Sequence, residues 1–221
     1  MSTYDRSHRF VGTRGCGQNI SRPPIIPTVY ILTGERTSGK STVCARVADL
    51  ARELGYRVAG LLTLRIESGP QSTHRHTARR REVVDLATGR TFPFGHRRQT
   101  DATDERAQTI SPAGLPASGG PLAGWELDDD VFTQGNEILA ASTPCDLLII
   151  DELGPLELLH GQGWMDAFPA IDSRRYTMAL VVCRPLLVDQ CLSRLEEHTP
   201  IIIETTHESR DGLPASLVEG L

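Results

Sequence analysis

Eight consecutive residues constrain this chain more than any other stretch. They are Gly34-Glu35-Arg36-Thr37-Ser38-Gly39-Lys40-Ser41, the G-x-x-x-x-G-K-[ST] pattern of a phosphate-binding loop. Glycines at that spacing let backbone N–H groups turn inward around an anion. A helix opening at Gly39 adds unpaired N–H groups and a partial positive charge. The lysine is informative in itself: of 23 Lys and Arg residues, Lys40 is the sole lysine. A compact ammonium rests between phosphate oxygens where a planar guanidinium fork is too large. In such a loop Lys40 would hold terminal phosphates, Ser41 would ligate Mg²⁺, and Thr42 would lie beside the innermost phosphate. Gly34, Glu35, Arg36, Thr37, Ser38, Gly39, Lys40, Ser41 and Thr42 are therefore the nucleotide-binding candidates.

The surroundings of the loop have the order that the pattern needs. Residues 25–33 (IIPTVYILT) read as a buried strand running into it, and residues 41–54 read as a helix with Val43, Val47, Leu50, Ala51 and Leu54 on one face. Further along, residues 57–66 and 81–86 read as strands, with Ala87-Thr88-Gly89 as a turn and Thr91-Phe92 as a short return. Residues 67–80 are too short and polar for a crossover helix, so these strands should be antiparallel neighbours. Helices are expected over 128–141, over 164–174 with Pro169 as an interruption, and from Pro185 to about Glu197. Strands are expected over 146–151, 176–183 and 200–204, and a short helix after Asp211. Strands alternating with helices imply an α/β fold: a mostly parallel sheet covered on both faces, with an antiparallel hairpin added. A ligand would then bind at the carboxyl ends of the strands.

Residues 147–152 (LLIIDE) form an apolar run ending in two acids. An acid at the end of a buried strand, downstream of a phosphate loop, suits the metal side of the site. Asp151 is accordingly the metal candidate together with Ser41, and Glu152 the general base or water-orienting group. Arg184 follows the strand over 176–183 and is a candidate for stabilising charge on a terminal phosphate, or equally a structural ion pair. Arg36, inside the loop, is a candidate for the same role but reads better as solvated. Lys40, Glu152 and Arg184 are the catalytic candidates. The segment 205–210 (TTHESR) follows the last strand and is a candidate contact for a base. His74, Arg75, His76, Arg79, Arg80 and Arg81 make a basic hairpin tip, read as solvated.

Composition narrows the partners. A net charge of −5 with 23% charged residues argues against a nucleic-acid-coating protein, and no apolar run is long enough for a membrane span. Cys16, Cys44, Cys145, Cys183 and Cys191 form no C-x-x-C pair and read as buried thiols in a reducing, cytoplasmic setting. Residues 1–24 carry Arg6, Arg9, Arg14 and Arg22 against Asp5, with no apolar segment of a secretory signal, and read as a disordered extension. The domain would then span 25–221. Residues 96–127, rich in Gly, Pro, Ser and Thr, read as a long loop within it.

Together, GERTSGKST (34–42), VVDLATG (83–89), IDELGPLEL (150–158) and VVCRP (181–185) resemble the THEP1 family of nucleoside-triphosphatases. The resemblance runs from about residue 25 to the C-terminus, and DELGPLEL is its more specific part. It implies a RecA-like P-loop NTPase core, a three-layer sandwich. It also implies Mg²⁺-dependent hydrolysis of nucleoside triphosphates, ATP or GTP among others, with broad base tolerance. Lys40 and Ser41 would serve phosphates and metal; Asp151 and Glu152 would serve metal and water. Two features depart from the family: Thr63-Leu64-Arg65 stands where members often carry Thr-Glu, and the N-terminal extension and long loop are unusual. They suit a chain that acts with a protein partner. A nucleoside or nucleotide kinase and a slow, partner-gated ATPase are the alternatives. A guanine-reading switch of the N-K-x-D type needs a second lysine, which the sequence does not carry, and is disfavoured.

Overall fold

The structure, a computed structural model, describes residues 26–66, 80–97 and 125–221. The expectations for residues 1–24, for most of 96–127 and for His74, Arg75, His76 and Arg79 lie outside these residues.

The chain enters the sheet with β1 (Thr28–Thr33), passes the phosphate-loop sequence and continues as α1 (Lys40–Glu53). Then come β2 (Val58–Ile66), β3 (Arg80–Asp85), β4 (Thr91–Arg97) and β5 (Trp125–Leu127). The second half runs α2 (Val131–Ala140), β6 (Leu147–Leu153), α3 (Pro155–His160), α4 (Ala167–Asp172) and β7 (Met178–Cys183). It ends with α5 (Val188–Arg194), β8 (Ile201–Glu204) and α6 (Leu213–Val218). One 8-stranded sheet results, in the order β5-β4-β3-β2-β6-β7-β1-β8. Strands β2, β6, β7, β1 and β8 are parallel neighbours, whereas β3, β4 and β5 extend β2 as an antiparallel wing.

Burial explains this arrangement. Leu147–Leu153 and Met178–Cys183 are apolar on both sides because helices cover both faces. On one face Val43, Cys44, Val47, Ala48 and Ala51 of α1 pack with Leu217 and Val218 of α6 against Leu32, Ile149 and Leu180. On the other, Val131 and Leu139 of α2, Phe168 and Ile171 of α4 and Cys191 of α5 pack against Ile31, Leu148, Ile150 and Val181. Each fully buried Leu, Ile or Val contributes about 1.5–3 kcal/mol. The chain is thus an α/β three-layer sandwich with a mostly parallel sheet and an antiparallel addition.

Several local expectations are corrected. Leu54 does not share the buried face of α1; it caps the helix and is 66% exposed. Thr91-Phe92 is the start of a seven-residue strand, and Trp125–Leu127, read as loop, pairs with it as β5. Pro169 does not interrupt a helix, because α4 starts at Ala167 and its first turn needs no N–H from position 169. Pro185 opens a single 3₁₀ turn (Pro185–Leu187) before the short α5, with a second 3₁₀ turn at Glu196–His198. Residues 155–160, given no element in the sequence reading, form α3 with its proline at the first helical position.

Candidate active site

β1 and α1 are joined by the loop 34–39, which makes a closed turn at the carboxyl edge of the sheet. Gly34 (φ +143) and Gly39 (φ +103) take backbone conformations that side chains rarely adopt. A Cβ on Gly34 would collide with the Thr205 carbonyl oxygen, and one on Gly39 would meet the Arg210 side chain at 2.9 Å. The loop is therefore packed against the segment that follows β8, and Thr205 N donates to Thr33 O at 2.7 Å. The hydroxyls of Thr33, Ser38 and Thr205 are buried there without hydrogen-bond partners among the described residues. Glu35, Arg36, Thr37 and Thr42 are exposed on the rim.

Lys40 Nζ folds back over the loop and donates to Gly34 O at 2.6 Å and Glu35 O at 2.9 Å. Burial holds its ammonium below the ordinary lysine value; the carboxylates of Glu152 and Asp151 oppose this, and Arg184 adds to it. Both acids of β6 thus act on the loop lysine although more than a hundred residues separate them in sequence.

Asp151 is 3% exposed. Thr63 of β2 donates its N–H to Asp151 Oδ2 at 3.2 Å and its hydroxyl to Asp151 O at 2.8 Å. Ser41, at the start of α1, lies on the same side and favours the charged form of this carboxylate. Burial, with the adjacent Glu152 charge, pushes Asp151 up to about 6, while Ser41, Thr63 and the more distant Arg81 pull the other way. The Asp151 carboxylate and the Ser41 hydroxyl are two hard oxygen donors from neighbouring elements, a set that suits a small divalent cation. Among the described residues no cluster of three or more His, Cys, Asp and Glu side chains offers another metal site. The remaining ligands of a metal held by Ser41 and Asp151 would come from phosphate and water.

Glu152 pairs with Arg184, whose Nε donates to Oε1 at 2.5 Å. Arg184 is brought in from the end of β7, which pairs with β6 in parallel; the register slips between Ile150 and Leu153, where the acids leave the sheet. Beyond them α3 begins. Glu157 accepts the N–H groups of Gly154 and Trp164, each at 2.8 Å. It is a buried carboxylate that fixes the backbone on the far side of Glu152. Two contributors have weak sequence signals. Thr63 is a threonine in an ordinary strand, and only the parallel pairing of β2 with β6 brings it to Asp151. Arg81 lies in an arginine-rich run and is distinguished only by being half-buried.

A family model described as NTPase matches residues 29–110. The nucleoside-triphosphatase THEP1 of Methanosarcina acetivorans is 32% identical over 130 residues, covering 58% of this chain and 61% of that protein. THEP1 of Methanosarcina barkeri is 26% identical over 189 residues, covering 84% and 92%. The chain is thus similar to THEP1 nucleoside-triphosphatases along most of its length. THEP1 of Methanopyrus kandleri is 26% identical over 202 residues, and this chain spans 95% of its length. The crystal structure of THEP1 from Aquifex aeolicus has the same fold. Its TM-score is 0.52 at 18% identity, with 87% of this chain and 98% of that chain covered. Among the described residues no helix is long and apolar enough to cross a membrane.

Proposed function

We propose that the chain hydrolyses nucleoside triphosphates to diphosphate and phosphate, with Mg²⁺ and with broad tolerance of the base. The observation that carries this reading is the convergence of Glu152 and Asp151 on Lys40, whose ammonium they influence more than any other charges do. Lys40 would leave the Gly34 and Glu35 carbonyls for the terminal phosphates, exchanging two neutral acceptors for charged ones. Ser41 and Asp151 would hold the metal, which when bound neutralises charge on the phosphate oxygens. Glu152 would orient a water and accept its proton. Arg184 would exchange Glu152 for the phosphate, which frees the carboxylate for the water and sets a cation against the developing charge. The free, buried thiols of Cys44, Cys145, Cys183 and Cys191 support a reducing, cytoplasmic setting.

The test is phosphate release from ATP, GTP, CTP and UTP with Mg²⁺ and no acceptor, for the wild type, Lys40→Ala and Glu152→Gln. Turnover of all four nucleotides is expected, lost in both variants, with nucleotide affinity lost only in Lys40→Ala. Release near the wild-type rate from Glu152→Gln would sink the assignment of the base. Tight binding without release until an acceptor or a second protein is added would replace hydrolysis with phosphotransfer or a gated ATPase.

A further inference from the structure

We propose that Arg210, braced by His207, is the platform on which the base of the nucleotide stacks, an inference that rests on the reading of residues 34–42 as a nucleotide-binding loop. The topology fixes which side of the loop is available. In the sheet, β6 and β7 lie on one side of β1 and β8 lies on the other. Asp151, Glu152 and Arg184, the groups for the terminal phosphate and its metal, leave β6 and β7. A triphosphate held by the loop with its last phosphate toward them carries its sugar and base away from them, toward β8. The segment that follows β8 stands there.

That segment touches the loop itself. Thr205 O occupies the place where a Cβ on Gly34 would fall, and Arg210 Cδ lies 2.9 Å from the corresponding point on Gly39. The Arg210 stem therefore crosses the glycine immediately before Lys40, where only a residue without a side chain leaves it room. The backbone beneath it is held in one turn. Thr206 Oγ1 accepts the N–H groups of Glu208 at 3.3 Å and Ser209 at 3.1 Å, and Ser209 Oγ accepts the Thr206 N–H at 3.0 Å. Arg210 N–H donates to Thr206 O at 3.1 Å. Asp211 ties the same stretch to α1 through Arg46 at 3.0 Å, and stands 3.8 Å from Arg210 Nε.

The side chain ends in an open plane. Arg210 Nη1 lies 3.4 Å from His207 Nδ1. A guanidinium only donates, so Nδ1 accepts and the imidazole carries its proton on Nε2. Arg210 keeps 40% of its side chain exposed and His207 is exposed, so a planar cation and an aromatic ring face solvent beside the loop. Every nucleobase has a π-face, whatever donors and acceptors its edge carries, and a guanidinium stacks on such a face. Recognition by face needs no group matched to one base. It is the chemistry that broad base tolerance requires, and it gives this segment a purine or pyrimidine ring as its ligand.

Equilibrium binding to wild type, Arg210→Met, Arg210→Lys and Lys40→Ala tests the platform, with Tm as the check on folding. The ligands, each with Mg²⁺, are ADP, GDP, CDP and UDP, together with ribose 5-diphosphate and pyrophosphate, which carry the phosphates without a base. Methionine keeps a stem over Gly39 and removes the plane and the charge; lysine keeps the charge and removes the plane. Both variants should bind all four nucleoside diphosphates about tenfold more weakly than wild type, with ribose 5-diphosphate and pyrophosphate within about twofold. The proposal is overturned if either base-free ligand loses as much as ADP, because Arg210 then contacts sugar or phosphate. Wild-type affinity for ADP in Arg210→Lys overturns it too, since charge alone would suffice. So does a loss confined to one base, which would mean that an edge is read. If Arg210→Met does not fold, Arg210→Ala takes its place with the same expectations. Lys40→Ala separates the two readings, since it should lose ADP and pyrophosphate alike. If it binds both like wild type, the loop is not the nucleotide site and the platform falls with it; if it loses both while the Arg210 variants bind ADP normally, the platform alone falls.

Discussion

At the scale of single residues, the site sets stability against function at Asp151. An ordinary aspartate gives up its proton near 3.8, whereas the buried Asp151 does so near about 6. Below pH 4 the group is neutral in the folded and the unfolded chain, and the raised value favours folding most fully there. As pH rises through 6, the folded chain must hold a buried anion that the unfolded chain holds in water, and that contribution is lost. A gap of about two units corresponds to about 3 kcal/mol. Asp151→Asn keeps the acceptor for Thr63 N–H and never ionises. Denaturant unfolding with chelator present should therefore find the variant more stable than wild type at pH 8, with the difference vanishing toward pH 4. An advantage that grew toward acid, or none at pH 8, would contradict the desolvation of Asp151. The positions of Lys40, Ser41, Asp151 and Glu152 were legible in the sequence because their spacing is the chemistry. Thr63 was not, since a strand pairing 88 residues away in sequence gives it its partner.

At the scale of elements, the stretch from Glu152 to Trp164 is organised by one side chain. Glu157 caps α3 through Gly154 N and ties down Trp164 N. A side chain on Gly163 would strike that carboxylate, and one on Gly135 would strike the Trp164 ring. The packing thus runs from the candidate base into α2. The sequence showed DELGPLEL as a unit without showing why, because a six-residue helix leaves no periodicity to read. The short helices around Pro169 and Pro185 blurred for the same reason. Glu157→Gln tests this account: an amide offers one acceptor and one donor where two N–H groups need two acceptors. One buried N–H is left unpaired at a cost of about 2 kcal/mol. For a chain of this size, Tm should fall by roughly 4–8 °C, read by thermal denaturation. A shift below about 1 °C would mean that Glu157 is not the pin of this segment.

At the scale of the whole molecule, one sheet separates two cores, and the candidate site spans both. Lys40 and Ser41 belong to the helix that closes one core, while Glu152 and Arg184 leave strands beside residues of the other. Alternating strands and helices made this layering legible. Length signals misjudged the antiparallel wing, since β5 is three residues long and returns to the sheet after a polar stretch. A ligand that joins the two halves should stabilise the fold as a unit. At a nucleotide concentration a hundred times its Kd, linkage gives about 2.7 kcal/mol. At roughly 2–4 °C per kcal/mol for a domain of this size, Mg-ADP should raise Tm by roughly 5–10 °C. Lys40→Ala should show almost none of that rise at the same concentration, because it lacks the ammonium that spans loop and phosphates. Glu152→Gln should show all of it, because its carboxamide faces the water rather than the diphosphate. An equal rise in Lys40→Ala would place the nucleotide elsewhere, and a missing rise in Glu152→Gln would make Glu152 a binding group and not a base.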